Sequence, residues 1–63
     1  MVSAEQMRKA DRKKIKITFI DGESVIRQCT NFYQQEDDDE ENMLEFSDVL
    51  INQSEIKSIE IIN

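Results

Sequence analysis

The sequence predicts a small, mainly β domain in which an N-terminal α-helix precedes a five-stranded, strongly bent antiparallel barrel. Three observations predict this fold. Apolar residues change from a helical spacing to a period of two at Lys14, and turn-forming residues then separate five short apolar runs within residues 14–63. Five strands this short would expose their edges, and closure into a barrel is a common way to protect them.

The N-terminal segment has the signature of a helix start. Ser3 and Gln6 have the spacing of a capping box, and Val2 and Met7 occupy the positions of a hydrophobic staple around it. We therefore predict a short helix over residues 2–13. A helix of this length is marginal by itself and needs a surface on which to pack.

The strands follow from alternation and turn signals. Ile15, Ile17 and Phe19 alternate with polar residues, and Asp21-Gly22 then predicts a hairpin turn. The later strands are predicted at about 24–33, 43–46, 49–52 and 58–62, with one turn of 3₁₀ helix at 53–56. The predicted core comprises apolar residues of these strands: Ile15, Ile17, Phe19, Val25, Cys29, Leu44, Phe46, Val49, Ile51, Ile59 and Ile61.

Composition limits the function. The 63 residues include one cysteine and no histidine, so neither a disulfide within the chain nor a Cys/His metal cluster can support the fold. A lone thiol fits a reducing compartment, so we predict a cytoplasmic protein, with Cys29 as an inert core residue. No apolar run exceeds three residues, which argues against a membrane span or a signal-peptide core. With no Ser/His pair and no glycine-rich phosphate loop, we expect no catalytic residues and no cofactor.

Charge divides the chain into two regions. The formal net charge is −6, whereas residues 1–16 carry +4. We predict a basic helix or arm at 1–13 and a barrel domain at 14–63, with an acidic loop at 34–42. The remaining residues, 17–63, are strongly acidic and repel phosphate. We therefore do not expect a generic nucleic-acid binder.

The acidic loop contains six consecutive acidic residues, here called the acidic tract: Glu36, Asp37, Asp38, Asp39, Glu40 and Glu41. Alternate carboxylates suggest a Ca²⁺ loop, but the glycine turn, the bidentate glutamate and the exiting helix are missing, so no metal site is predicted. Two interpretations remain open: a solvated, mobile loop, and a docking surface for a basic partner, including the chain's own arm.

Three stretches resemble the motifs of the Sm-like (Lsm/Hfq) family. The first motif is similar to DGESVIRQCTNF at 21–32 together with NMLEF at 42–46, and the second is similar to VLINQSEIKSIEI at 49–61. The resemblance covers about residues 4–62 and identifies a divergent member. Arg27 stands where the family prefers glycine, Tyr33 replaces an aspartate, and Asn52-Gln53 replace an Arg-Gly pair.

The resemblance implies rings in which the fourth strand of one subunit pairs with the fifth strand of the next. The residues expected at this oligomer edge are Val49, Leu50, Ile51, Ile59, Ile61 and Ile62. We therefore expect a non-catalytic module that acts through self-association or protein contacts. The alternative is an RNA-binding protein that uses the arm and the barrel rim, with stacking by Tyr33 or Phe32. Its candidate residues are Tyr33, Asn42, Asn52, Arg8, Lys9, Arg12 and Lys13.

Overall fold

The computed structural model describes residues 1–62 and contains one short helix, one 3₁₀ turn and six strands in two small antiparallel sheets. The elements in chain order are α1 Ala4–Lys9, β1 Lys14–Phe19, β2 Ser24–Gln28, β3 Asn31–Tyr33, β4 Met43–Glu45, β5 Leu50–Asn52, the 3₁₀ turn Gln53–Glu55 and β6 Ile56–Ile61. Asn63, the last residue of the predicted barrel domain, lies outside the described residues. The mainly β class with a single N-terminal helix is thus confirmed.

The predicted capping box is present at the start of α1. The Ser3 hydroxyl accepts a bond from the Gln6 backbone N–H at 3.1 Å, and the Gln6 side chain accepts one from the Ser3 N–H at 3.1 Å. The helix ends at Lys9, earlier than the predicted residue 13, and the chain turns through Arg12, whose φ is 62°. No helix in residues 1–62 has the length and apolar character needed to cross a bilayer.

The first sheet has the strand order β2-β1-β6. Ile17 on the central strand lies opposite Val25 on one side and Ile59 on the other. The predicted Asp21-Gly22 turn joins β1 to β2, with Gly22 at a φ of 97°, a conformation that other residues reach only with strain.

The second sheet has the order β3-β4-β5 and corrects the barrel prediction. The predicted strand 24–33 is two strands, because the backbone changes partner after Cys29. The Cys29 N–H donates to the Lys13 carbonyl at 2.9 Å and continues the β1 pairing, whereas the Thr30 N–H donates to the Glu45 carbonyl at 2.8 Å beside β4. Residues 1–62 therefore contain six strands in two sheets, and these do not form the closed five-stranded barrel that was predicted.

The core draws on the helix and on both sheets. Its buried apolar residues are Val2, Met7, Ala10, Ile15, Ile17, Cys29, Leu44, Phe46, Ile51 and Ile56, with Phe19, Phe32 and Ile59 partly buried against them. Three predicted core residues are wrong: Val25, Val49 and Ile61 are 39%, 44% and 43% exposed. Val25 and Ile61 lie on the outer strands of their sheet and Val49 lies in a turn, so each is covered on one side at most.

The N-terminal arm is part of this core. Val2, Met7 and Ala10 are buried in the same cluster as the strand residues. The Val2 N–H also donates to the Ile56 carbonyl at 3.0 Å, which holds the chain start against β6. Residues 1–13, predicted as a basic helix or arm, thus contribute apolar side chains to the shared core.

Candidate functional site

The acidic tract contains a folded turn at residues 37–40. The Asn42 side-chain oxygen accepts a bond from the Gln35 N–H at 2.8 Å, which draws the two ends of the loop together. Within the loop, the Asp37 carbonyl accepts from the Glu40 N–H at 3.2 Å, and the Asp37 carboxylate accepts from the Asp39 N–H at 3.0 Å. The side chains from Glu36 to Glu40 are exposed, as expected for clustered like charges.

Glu41 differs from the other members of the tract. One of its carboxylate oxygens accepts the Ser54 N–H at 2.8 Å, and the other accepts the Ser54 hydroxyl at 3.0 Å. Ser54 lies in the first turn of the 3₁₀ segment, so Glu41 satisfies a backbone donor there. The tract thus divides into five exposed carboxylates and one that joins the loop to the body of the domain.

We predict that the two parts of the tract respond differently to substitution. Glu41→Ala should lower the free energy of unfolding by about 1 kcal/mol, because it leaves the Ser54 donors without this partner. Replacing residues 36–40 with glycine and serine should leave the stability unchanged or raise it, because like charges repel. Urea unfolding followed by circular dichroism measures both changes, with Asp38→Ala as the control. If replacement of residues 36–40 lowered the free energy of unfolding as much as Glu41→Ala does, this division would be contradicted.

Three candidate RNA-binding residues meet at one end of the second sheet. The register places Tyr33 opposite Met43 and Met43 opposite Asn52, and Asn42 directly precedes Met43. Asn42 is buried, however, and its amide donates to the Gln53 side chain at 3.1 Å in addition to accepting from Gln35. In this conformation both functional ends of the Asn42 amide are used inside the protein.

The candidate cations of the arm, Arg8, Lys9, Arg12 and Lys13, are exposed. Arg12 approaches Asp11 at 4.0 Å, and another ion pair joins Arg27 to Asp48. Neither pair brings the arm to the acidic tract, so the charge balance between these two regions stays a prediction.

Arg27 forms an ion pair with Asp48 that the sequence did not predict. Its Nη2 donates to both carboxylate oxygens of Asp48, at 3.0 and 3.1 Å. This ion pair joins β2 in the first sheet to the turn before β5 in the second sheet. The resemblance had marked Arg27 only as a departure from a glycine, and no local pattern indicates a partner 21 residues away.

A pocket opens between the second sheet and the acidic loop, here called the aromatic pocket. Phe32, Tyr33 and Met43 provide its apolar wall, and Glu36 and Glu40 lie on the loop side. Tyr33 is 41% exposed, and its hydroxyl donates to the Glu45 carboxylate at 3.2 Å. The pocket therefore combines an accessible aromatic surface with negative charge.

The predicted oligomer edges lie at the ends of the two sheets. β5 ends one sheet and β6 ends the other. Of the six predicted edge residues, Ile51 is buried and Ile59 is half-buried in the core, while four are exposed: Val49, Leu50, Ile61 and Ile62, at 44%, 50%, 43% and 44%. Each edge thus offers two exposed aliphatic side chains beside an outer backbone.

Two features bear on reactivity and metal binding: the Cys29 thiol and the grouping of possible metal ligands in residues 1–62. Cys29 is buried, and its thiol donates to the Asn31 carbonyl at 3.2 Å. Burial raises the pKa of the Cys29 thiol, which disfavours the nucleophilic thiolate. Residues 1–62 contain no group of three or more His, Cys, Asp or Glu side chains placed to hold a metal ion.

Comparison with protein-family models, with curated proteins and with solved structures finds no match to this chain. The surfaces of the molecule that bear on function are the two sheet edges, the aromatic pocket and the exposed arm.

Proposed function

We propose that this chain is a non-catalytic binding module whose subunits associate through the edges of their two sheets. One observation supports this most directly: β5 and β6 are both outer strands, and both carry exposed aliphatic side chains. An outer strand with exposed apolar residues is a template for pairing with another chain. Val49 and Leu50 at one edge, and Ile61 and Ile62 at the other, add exposed apolar surface beside the charged residues Asp48, Lys57 and Glu60.

The strand order supports an Sm-like arrangement as part of the proposal. The short Cys29–Thr30 link carries the chain directly from β2 in the first sheet to β3 in the second, as one long bent strand would. The last two strands, β5 and β6, are outer strands of different sheets, so β5 of one subunit can pair with β6 of the next. Such a head-to-tail contact uses two different surfaces and produces a ring when the rotation closes.

Charge opposes this association and makes it dependent on salt. The net charge of −6 per chain places like charges close together in any oligomer. Screening at higher ionic strength reduces this repulsion, while the apolar contact is unaffected or strengthened. Added salt should therefore favour the oligomer, which is the opposite of what is expected for a complex held by ion pairs.

We predict that the wild-type chain sediments as an oligomer at micromolar concentration, and that Leu50→Lys and Ile61→Lys each shift it to a 7.4 kDa species. A lysine at either edge places a charge in the pairing surface. Ile20→Lys is the matched control, because Ile20 is 66% exposed and lies in the turn after β1, beside Glu55 at the opposite end of β6 from Ile61. Far-UV circular dichroism verifies that each variant is folded. A wild-type chain that sediments only at 7.4 kDa would reject the proposal.

RNA binding is the second candidate function. It is supported by the exposed cations of the arm and by Tyr33, whose accessible ring suits stacking on a base. Titration of labelled poly-U and poly-A RNA at increasing salt separates the two candidates. Micromolar binding at physiological salt that weakens steeply as salt rises would favour RNA binding over assembly alone.

A further inference from the structure

We propose that the aromatic pocket binds the guanidinium group of an arginine presented by a basic segment of a partner protein. The inference rests on the proposed function, since it assumes that the chain acts through protein contacts. It adds a second surface that is separate from the two sheet edges, because Val49, Leu50, Ile61 and Ile62 do not line this pocket.

The apolar wall of the pocket is built into the second sheet. Tyr33 and Met43 are cross-strand neighbours on β3 and β4. Asn31 opposes Glu45 two residues further along the same strand pair, and Glu45 accepts the Tyr33 hydroxyl at 3.2 Å. This bond restrains the Tyr33 side chain, and the residue is 41% exposed. A fixed aromatic ring beside a thioether gives a planar cation a preformed surface on which to stack.

The negative side of the pocket is positioned by bonds within the acidic loop. The Glu40 N–H donates to the Asp37 carbonyl at 3.2 Å in the turn that follows Glu36, and both glutamates line the pocket. The bond from the Gln35 N–H to Asn42, at 2.8 Å, fixes the start of the loop beside the sheet. Two glutamates thus line the same pocket as Tyr33, and a cation bound there gains from their charge and from the aromatic ring.

Arginine fits this geometry better than the other cations. Its guanidinium stacks on aromatic faces and donates hydrogen bonds from its edges, so one group engages Tyr33, Glu36 and Glu40 together. The ammonium of lysine is a compact, strongly hydrated charge and gains less from the ring. A metal ion is disfavoured, because residues 1–62 contain no group of three donor side chains converging on one point.

The test uses fluorescence anisotropy with a labelled glycine–arginine repeat peptide and the full-length chain. The wild-type chain should bind this peptide more tightly than the lysine version, and should not bind the version with neutral citrulline. The double variant Glu36→Gln/Glu40→Gln should weaken binding by about fivefold or more, and Tyr33→Leu should weaken it by a similar factor. Far-UV circular dichroism verifies that the variants are folded.

The matched control is the double variant Asp38→Asn/Asp39→Asn. It removes the same amount of charge from the same tract, but neither residue lines the pocket. We expect it to weaken binding by less than about twofold. Equal weakening by the two double variants, or equal binding of the arginine and lysine peptides, would show that general charge attraction and not the pocket binds the peptide, and would overturn the proposal.

Sedimentation of Glu36→Gln/Glu40→Gln separates an outside partner from a second copy of the chain. If the arm of a neighbouring subunit filled the pocket, this variant would sediment as a smaller oligomer than the wild type. That result would overturn the assignment of an outside partner. We expect its oligomeric state to match that of the wild type. Failure of the assembly proposal would appear instead in the wild-type sedimentation, which does not depend on the peptide.

Discussion

Replacing Ile17 with alanine should lower the free energy of unfolding by about 2–5 kcal/mol, the largest effect expected from a single change in this chain. Ile17 is fully buried on the central strand of the first sheet, between Val25 and Ile59. Its truncation removes apolar contacts and leaves a cavity that two short sheets fill poorly. Because small domains have little stability to lose, the variant should be largely unfolded at moderate temperature.

Lys16→Ala is the control for this prediction, since Lys16 is the adjacent residue of β1 and is exposed. It should change the free energy of unfolding by less than about 0.5 kcal/mol. Urea unfolding followed by far-UV circular dichroism measures both variants. If Ile17→Ala does not fold at all, Ile17→Val provides a milder step of about 0.5–1.5 kcal/mol. Equal unfolding midpoints for Ile17→Ala and Lys16→Ala would mean that the wrong face of β1 has been assigned to the core.

The elements that the sequence predicted well depend on residues that are close together in the chain. The capping box at Ser3 and Gln6 and the turn at Gly22 each need only a few neighbouring residues, and both are present. The alternation in β1 is also local, and Ile15 and Ile17 are buried as predicted. In these places local chemistry and the final fold agree, which is the usual condition for successful prediction.

Alternation failed where burial depends on what covers a strand. Val25 lies directly opposite Ile17 and shares its face, yet it is 39% exposed, because β2 has no further strand beyond it in its sheet. The pattern predicts which face a side chain occupies but carries no information on whether another element covers that face. For the same reason the sequence did not reveal that Val2, Met7 and Ala10 complete the core.

The residues of the candidate site could be predicted from the sequence, but the contacts between them could not. The acidic tract, Tyr33 and the strand edges are visible in composition and spacing. Their contacts join residues far apart in the chain: Glu41 to Ser54, Arg27 to Asp48 and Asn42 to Gln53. A single sequence gives no signal for such pairs, so Asn42 was predicted from a family resemblance as a base contact, although its amide is bonded inside the protein.

The second large effect is expected at Asn42. Asn42→Ala should lower the free energy of unfolding by about 1–3 kcal/mol, because it leaves polar groups without partners at a buried position. Gln53, whose side chain accepts from Asn42 at 3.1 Å, also donates to the Val2 carbonyl at 2.8 Å. The substitution therefore disturbs a polar chain that runs from the acidic loop through the 3₁₀ segment to the N-terminus. Gln34→Ala, at an exposed position of the same loop, is the control and should have little effect.

A double-mutant cycle tests whether Asn42 acts through Gln53. If the two amides form one network, the effects of Asn42→Ala and Gln53→Ala should differ from additivity by about 0.5–3 kcal/mol, because either change alone already breaks their shared bond. Additive effects would show that the two side chains act independently. RNA titration of Asn42→Ala then separates the two roles considered for this residue. If the variant keeps wild-type stability and loses RNA affinity, Asn42 is a base contact. If the variant is destabilised and its RNA affinity is unchanged, the Asn42 amide holds the acidic loop to the domain.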